Sequence, residues 1–196
     1  HPLTYKQVEK IYGYMSPNNS DKTAMNGMTK GAFYNIDQLT KDFGLRTKKV
    51  WYEALDDAGS ISKIIIHCSA TPEDRKVTVG DLMKWHVEER GWSDIGYHFF
   101  IDLEGEIHEC RPLERTGAHT KGNNFDSIGV CYAGGLNKEM NPKDTRNDKQ
   151  KESLQDLLCQ LKGLYPKSVV YGHNNFSSKA CPSFDAKEEY NYISES

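Results

Sequence analysis

From Ile61 onward, short apolar runs rich in β-branched and aromatic residues alternate with longer stretches at helical spacing, and few folds accept that alternation. The run "KIII" (63–66) is too short for a helix and is β-branched, so it reads as a buried strand. "TVGDLMKWHVEERG" (78–91) follows, with Leu82, Trp85 and Val87 marking a helical face and Gly91 as its stop. "GYHFFIDLEGEIHECR" (96–111) reads as two strands around the turn "DLEG", and "SIGVCYAGG" (127–135) as another strand. The polar stretch "LNKEMNPKDTRNDK" is a loop. In "QKESLQDLLCQLKGLYP" (150–166), Leu154, Leu157, Leu158 and Leu161 recur at helical spacing, with Gly163 and Pro166 expected to end the helix. "SVVYGH" (168–173) is the last strand, and "AKEEYNYISES" a short terminal helix. Strands interleaved with helices imply an α/β fold, with helices flanking one central sheet that the hairpin makes mixed.

Residues 1–60 break the pattern. "LTYKQVEKIYGYM" and "IDQLTKDFGLRTKKVWYEALDDAG" read as helical, separated by a turn-rich stretch, so a small helical region precedes a main domain over 61–196. The helix, Gly turn, helix cadence of "LTKDFGLRTKKVWYEAL" is faintly that of a DNA-binding helix pair. A net charge of −3 gives no basic footprint to support it, and nucleic acid is not expected as a partner. No apolar run approaches the ~18 residues of a membrane span, so membrane insertion is not expected either. "HPLTYKQVEK" lacks the apolar segment of a secretory signal, although a leader already removed would leave no trace. The five cysteines are odd in number and contain no CxxC pair, which argues for reduced thiols. Cys131 and Cys159 read as small core residues. Cys181 differs, because Lys, Ala and Pro surround it rather than an apolar periodic run.

The stretch "YGHNNFSSKACPSFD" (171–185) places His173, Lys179 and Cys181 within nine positions. Either they form part of a metal site with a charged helper, or they belong to a polar loop whose groups never meet. Zinc accepts His nitrogen and Cys sulfur, and a catalytic zinc keeps three protein ligands with one open position. His67 and His173 each end an apolar strand, and the carboxyl ends of such strands are where α/β proteins put their chemistry. Adjacent strand residues point to opposite faces, so His67 and Cys68 cannot both face one metal, and the same parity separates Tyr97 from His98. Among the remaining histidines, His86 reads as a surface or packing residue and His108 as solvent-facing. Spacing alone therefore leaves a His67, His173, Cys181 site open against two strand-end histidines hydrogen-bonded to backbone.

Four motifs, "HCSAT" (67–71), "KWHVEERGWSDIGYHFFI" (84–101), "GAHTKGNNFDSIGVCYAGG" (117–135) and "HNNFSSKACPSFD" (173–185), together resemble the zinc-dependent N-acetylmuramoyl-L-alanine amidases. That family includes the lysozyme-type endolysins of bacteriophages and the peptidoglycan recognition proteins, and the likeness spans roughly residues 61–193. It implies one catalytic Zn2+ held by His67, His173 and Cys181, with Tyr97 and Lys179 as catalytic helpers and His119 lining the substrate groove. It also chooses His67 over Cys68 and Tyr97 over His98. The cytoplasmic recycling branch of the family carries a Glu where this chain has Cys131 and usually an Asp where it has Cys181. Both departures point toward the phage-type enzymes. The implied reaction is hydrolysis of the amide between N-acetylmuramic acid and L-alanine by a zinc-activated water, in a monomer acting on bacterial peptidoglycan. A phage enzyme of this kind would be made in the host cytoplasm and act on the cell wall. The alternative is a peptidoglycan-binding module without catalysis, whose members typically lack the cysteine at position 181. A closed structural zinc site would need a fourth ligand, and none is evident near "KACPSFD". Residues 1–60 lie outside the likeness, and their aromatics suit wall binding or a cover over the catalytic face.

Overall fold

Strand β1 (Lys63–Cys68) is buried on both faces, with Ile64, Ile65 and Ile66 fully inaccessible, and the sheet is built outward from it. Such two-sided burial is what a central strand in a parallel arrangement requires. The computed structural model describes residues 61–196, and the helical region expected over 1–60 lies outside the described residues. β1 pairs in parallel with β5 (Ser127–Tyr132) on one side and β7 (Val169–Gly172) on the other. β3 (Phe99–Ile101) adds in parallel to β5, and β4 (Ile107–Glu109) pairs antiparallel with β3, giving the order β4-β3-β5-β1-β7. The sheet is therefore mixed, with the hairpin at one edge. A small parallel pair, β2 (Thr71–Pro72) with β6 (Gly135–Leu136), lies apart from it. Two residues per strand are too few to show a sequence pattern, and β6 falls in the stretch read as loop and its flank.

Each face of the sheet carries its own core. On one, Ile64, Ile66, Ile128, Val130 and Val170 pack against Leu154, Leu157, Leu158 and Leu161 of helix α2 (Asp148–Leu164) and against Ala186, Tyr190 and Ile193. Each of those leucines is at most 1% exposed, and burying one contributes about 1.5–3 kcal/mol. The start of α2 is set by a capping box, in which Asn147 Oδ1 accepts from Gln150 N at 2.8 Å and Gln150 Oε1 accepts from Asn147 N at 3.1 Å. Gly163 does not end the helix. Leucines on both sides of it face the core, so the helix runs through to Leu164 and stops at Tyr165, ahead of Pro166. The terminal segment is two short helices rather than one, α3 (Ala186–Glu189) and α4 (Asn191–Ser194), split where Tyr190 turns into the core.

On the opposite face, Phe100, Cys131 and Ala133 pack with Val77, Leu82, Ile95 and Cys110. Helix α1 (Val79–Met83) begins at a Thr78–Asp81 capping box and widens into a π-helical segment over Lys84–Glu89, which Gly91 (φ 71°) terminates. That segment carries His86 toward the carboxyl ends of the parallel strands. None of the five cysteines is in a disulfide. Cys131 is fully buried as expected, whereas Cys159 sits half-buried on the margin of α2. Among the described residues no helix is long and apolar enough to cross a membrane.

Candidate active site

The register of the parallel strands sets two of the site residues side by side. β1 and β7 pair through Ile66↔Gly172, so the next residue of each chain segment, His67 and His173, leaves the same sheet edge. Their ring centroids are 4.7 Å apart. His67 points to the α1 side of the sheet and is 1% exposed, while Cys68 points to the α2 side and belongs to that core. Cys181 comes back over the same edge on the loop after β7. Its Sγ accepts from Cys68 N at 3.3 Å and lies 3.9 Å from His67 Nδ1. The loop is pinned just beyond it: Tyr132 Oη donates to Pro182 O (2.6 Å), Ser183 Oγ to Gly135 O (2.8 Å) and Asn174 Nδ2 to Phe184 O (3.2 Å).

One nitrogen from each of His67 and His173 and the sulfur of Cys181 all lie within 4.8 Å of one another, a separation that can hold a metal ion. The electrostatics agree with neutral imidazoles. Burial holds His67 well below the ordinary histidine range, reinforced by the charges of His119, His173 and Lys179. Burial also lowers His173, with Lys179 adding to the effect. The Cys181 thiol, hydrogen-bonded to its neighbour Cys68 and buried, is pushed up and needs a cation to ionise.

These residues form the floor of a groove of about 650 Å3 whose walls include Tyr97, His119 and Lys179. The Tyr97 ring stands 5.1 Å from that of His67, and burial raises its phenol well above the usual tyrosine range. Lys179 is exposed on the rim, with its backbone N–H held by Ser177 Oγ at 3.0 Å. His98 is turned away into the core, where Nδ1 accepts from Gly129 N (3.0 Å) and Nε2 meets Arg115 O (2.8 Å). Of the two readings of His86, packing holds: it is 5% exposed, accepts from Gly96 N at 3.0 Å, and forms part of the groove wall with Trp92. His108 is half-exposed and paired with Asp102 at 2.9 Å.

Sequence reasoning missed the support around His119. Asn124 Oδ1 accepts from both His119 N (3.0 Å) and Thr120 N (2.8 Å), and His119 Nδ1 lies 2.8 Å from His67 Nε2. Asn124 was visible inside "GAHTKGNNFDS", but its role depends on how that loop curls over β5.

Residues 57–184 match the N-acetylmuramoyl-L-alanine amidase family. Over 124 residues the chain is 41% identical to the endolysin of Enterobacteria phage K11, a match covering 63% of this chain and 82% of that protein. Among solved structures, it is similar to the endolysin N-acetylmuramoyl-L-alanine amidase LysCS from Clostridium intestinale, with a TM-score of 0.58, 26% identity, and coverage of 70% of this chain and 84% of that one. Drosophila PGRP-LB, a peptidoglycan recognition protein, aligns with a TM-score of 0.57 and 27% identity over 68% of this chain and 81% of its own. With a family match that spans most of residues 61–196 and a phage relative 41% identical over 124 residues, the chain belongs to the N-acetylmuramoyl-L-alanine amidase family.

Proposed function

We propose that this protein is a zinc-dependent, endolysin-like peptidoglycan hydrolase that cleaves the amide between N-acetylmuramic acid and the L-alanine of the stem peptide. The observation that carries the reading is the convergence of His67, His173 and Cys181 in the floor of a groove that Tyr97 and Lys179 also line. The donor set suits zinc. Tetrahedral bonds of ~2.05 Å to nitrogen and ~2.3 Å to sulfur place those atoms about 3.6 Å apart. The Cys181 Sγ to His67 Nδ1 separation is 3.9 Å. A zinc ion held there would polarise the amide carbonyl and acidify a water.

The chain's own residues do the rest. Lys179, tethered two residues before Cys181, brings an ammonium to the rim, where it stabilises the oxyanion that forms on the attacked carbonyl. Tyr97 keeps its proton on Oη, because burial opposes ionisation, and so serves as a hydrogen-bond donor toward the same oxygen. Cys131, standing where the recycling branch carries a carboxylate, is held protonated by burial and is no base. The walls formed by Trp92, Phe176 and His86 give a sugar-peptide substrate apolar and polar surface together. The phage relative supports the reading that the enzyme is made in a host bacterium and acts on the wall from there.

Digestion of purified peptidoglycan tests this reading. The expected products are free stem peptides with new L-alanine amino termini, no new sugar reducing ends, and loss of activity on chelation that zinc restores. Reducing ends would make the protein a glycosidase. Wall binding without any release by the zinc-loaded protein would make it a recognition module.

A further inference from the structure

We infer that His119 is a positioning residue for the metal ligand His67, fixing which nitrogen of that ring carries the proton. The inference rests on the ligand set proposed above and concerns a residue otherwise expected only to line the substrate groove. His67 turns Nδ1 toward Cys181 Sγ, at 3.9 Å, and Nε2 toward His119 Nδ1, at 2.8 Å. A neutral imidazole has one N–H and one lone pair. For Nδ1 to offer its lone pair to a metal, the proton must sit on Nε2, and Nε2–H then needs an acceptor.

His119 Nδ1 is that acceptor, with Thr120 Oγ1 sharing the role at 3.3 Å. Accepting at Nδ1 places the His119 proton on Nε2, which lies 3.3 Å from Ser127 Oγ. The protons therefore run in one direction, from His67 Nε2–H to His119 Nδ1, and from His119 Nε2–H to Ser127 Oγ. The reverse assignment would put a proton on His67 Nδ1, facing the site where the lone pair is wanted.

The ring of His119 is held for this task. Its backbone N–H and that of Thr120 are both tied to Asn124 Oδ1, which fixes the loop. Its imidazole lies over Gly117 and Gly129, and a Cβ at either position would come within 2.6 Å of its Cδ2. Gly129 sits in the middle of the fully buried strand β5, where glycine normally weakens a strand, and its missing side chain makes the slot the ring occupies. The two imidazoles meet edge to face at 88°, with centroids 4.9 Å apart, in a buried setting that strengthens the bond between them.

The test is zinc affinity, measured on the full chain by competition with a chromophoric chelator. Asparagine's Oδ1 falls near the position of a histidine Nδ1, whereas glutamine's amide reaches only the Nε2 position. His119→Asn should thus hold zinc close to the wild-type affinity, while His119→Gln and His119→Ala should weaken it about 10–100-fold. Ser127→Ala, at the far end of this hydrogen-bond relay and outside the groove, should weaken it by a smaller factor, which no substrate contact would explain. Cobalt(II) substitution gives a second readout, with the visible bands of the Gln and Ala variants shifted and those of Asn unchanged. Zinc affinities for Gln and Ala within about threefold of wild type would overturn the inference, as would a folded Asn variant that loses zinc as they do. Should the alanine variant fail to fold, the Asn and Gln pair still decides. A wild-type chain that takes up no stoichiometric zinc would instead bring down the ligand reading itself.

Discussion

Lys179 and Cys181 stand two positions apart in one loop, yet replacing them should have separable effects. Lys179→Ala is expected to keep stoichiometric zinc and lose about 10²–10³ in kcat, because a protonated ammonium cannot be a ligand but can stabilise an oxyanion. Metal analysis beside a turbidity assay checks it, and near-normal kcat would leave Lys179 an ordinary surface charge. Cys181→Ser is expected to release zinc on dialysis and abolish lysis while the fold stays intact, since a serine hydroxyl remains protonated at neutral pH and brings no charge to the ion. Circular dichroism matching wild type, together with retained zinc and lysis, would remove Cys181 from the ligand set. At this scale the sequence was informative where chemistry sits at a strand end, as with His67 and His173. It was silent on the His119 to His67 bond, which depends on a loop folding back over a neighbouring strand and on the two glycines beneath it.

Among the elements, the apolar strands and the leucine face of α2 were legible because their burial is periodic along the chain. The β2–β6 pair, the π-helical segment and the break at Tyr190 were not, since two-residue strands, a local change of helical pitch and a one-residue break leave no periodic apolar signal. Arg146 was not legible either. Its guanidinium is fully buried in the loop before α2, bonded to Asp144 (2.8 Å), Glu189 (2.7 Å) and Tyr190 Oη (2.8 Å), and stacked 3.4 Å over the Phe184 ring. It therefore clamps the start of α2 to α3 and to the loop that delivers Cys181. Arg146→Ala is expected to destabilise the protein by about 2 kcal/mol, below the 3–5 typical of a broken buried pair. The lower figure follows because Asp144 and Glu189, 32% and 45% exposed at their side chains, can rehydrate. Urea unfolding measures it, and an unchanged midpoint would mean the clamp adds nothing net.

For the whole molecule, acid sensitivity follows from histidines buried away from the proposed metal ligands. His98 and His86 are both lowered to about 4, chiefly by burial, and each is wired to backbone through a ring nitrogen. Above the unfolded value of 6.5 both states leave these rings neutral, so they add no pH dependence there. Between 6.5 and about 4 the unfolded chain binds more protons than the folded one, so stability falls as pH drops through that window. The loss should reach about 1–3 kcal/mol per ring, and urea midpoints at pH 7.5 and 4.5 would reveal it. Equal midpoints would mean these rings titrate alike folded and unfolded. The slot beneath His119 has a different kind of consequence. Gly129 has no functional group and does not line the groove, yet a methyl there would collide with the His119 ring proposed to brace His67. In a saturation scan of lytic activity, this chemically blank position should tolerate substitution as poorly as His67, His173 and Cys181 themselves, because what the site inherits from it is empty space.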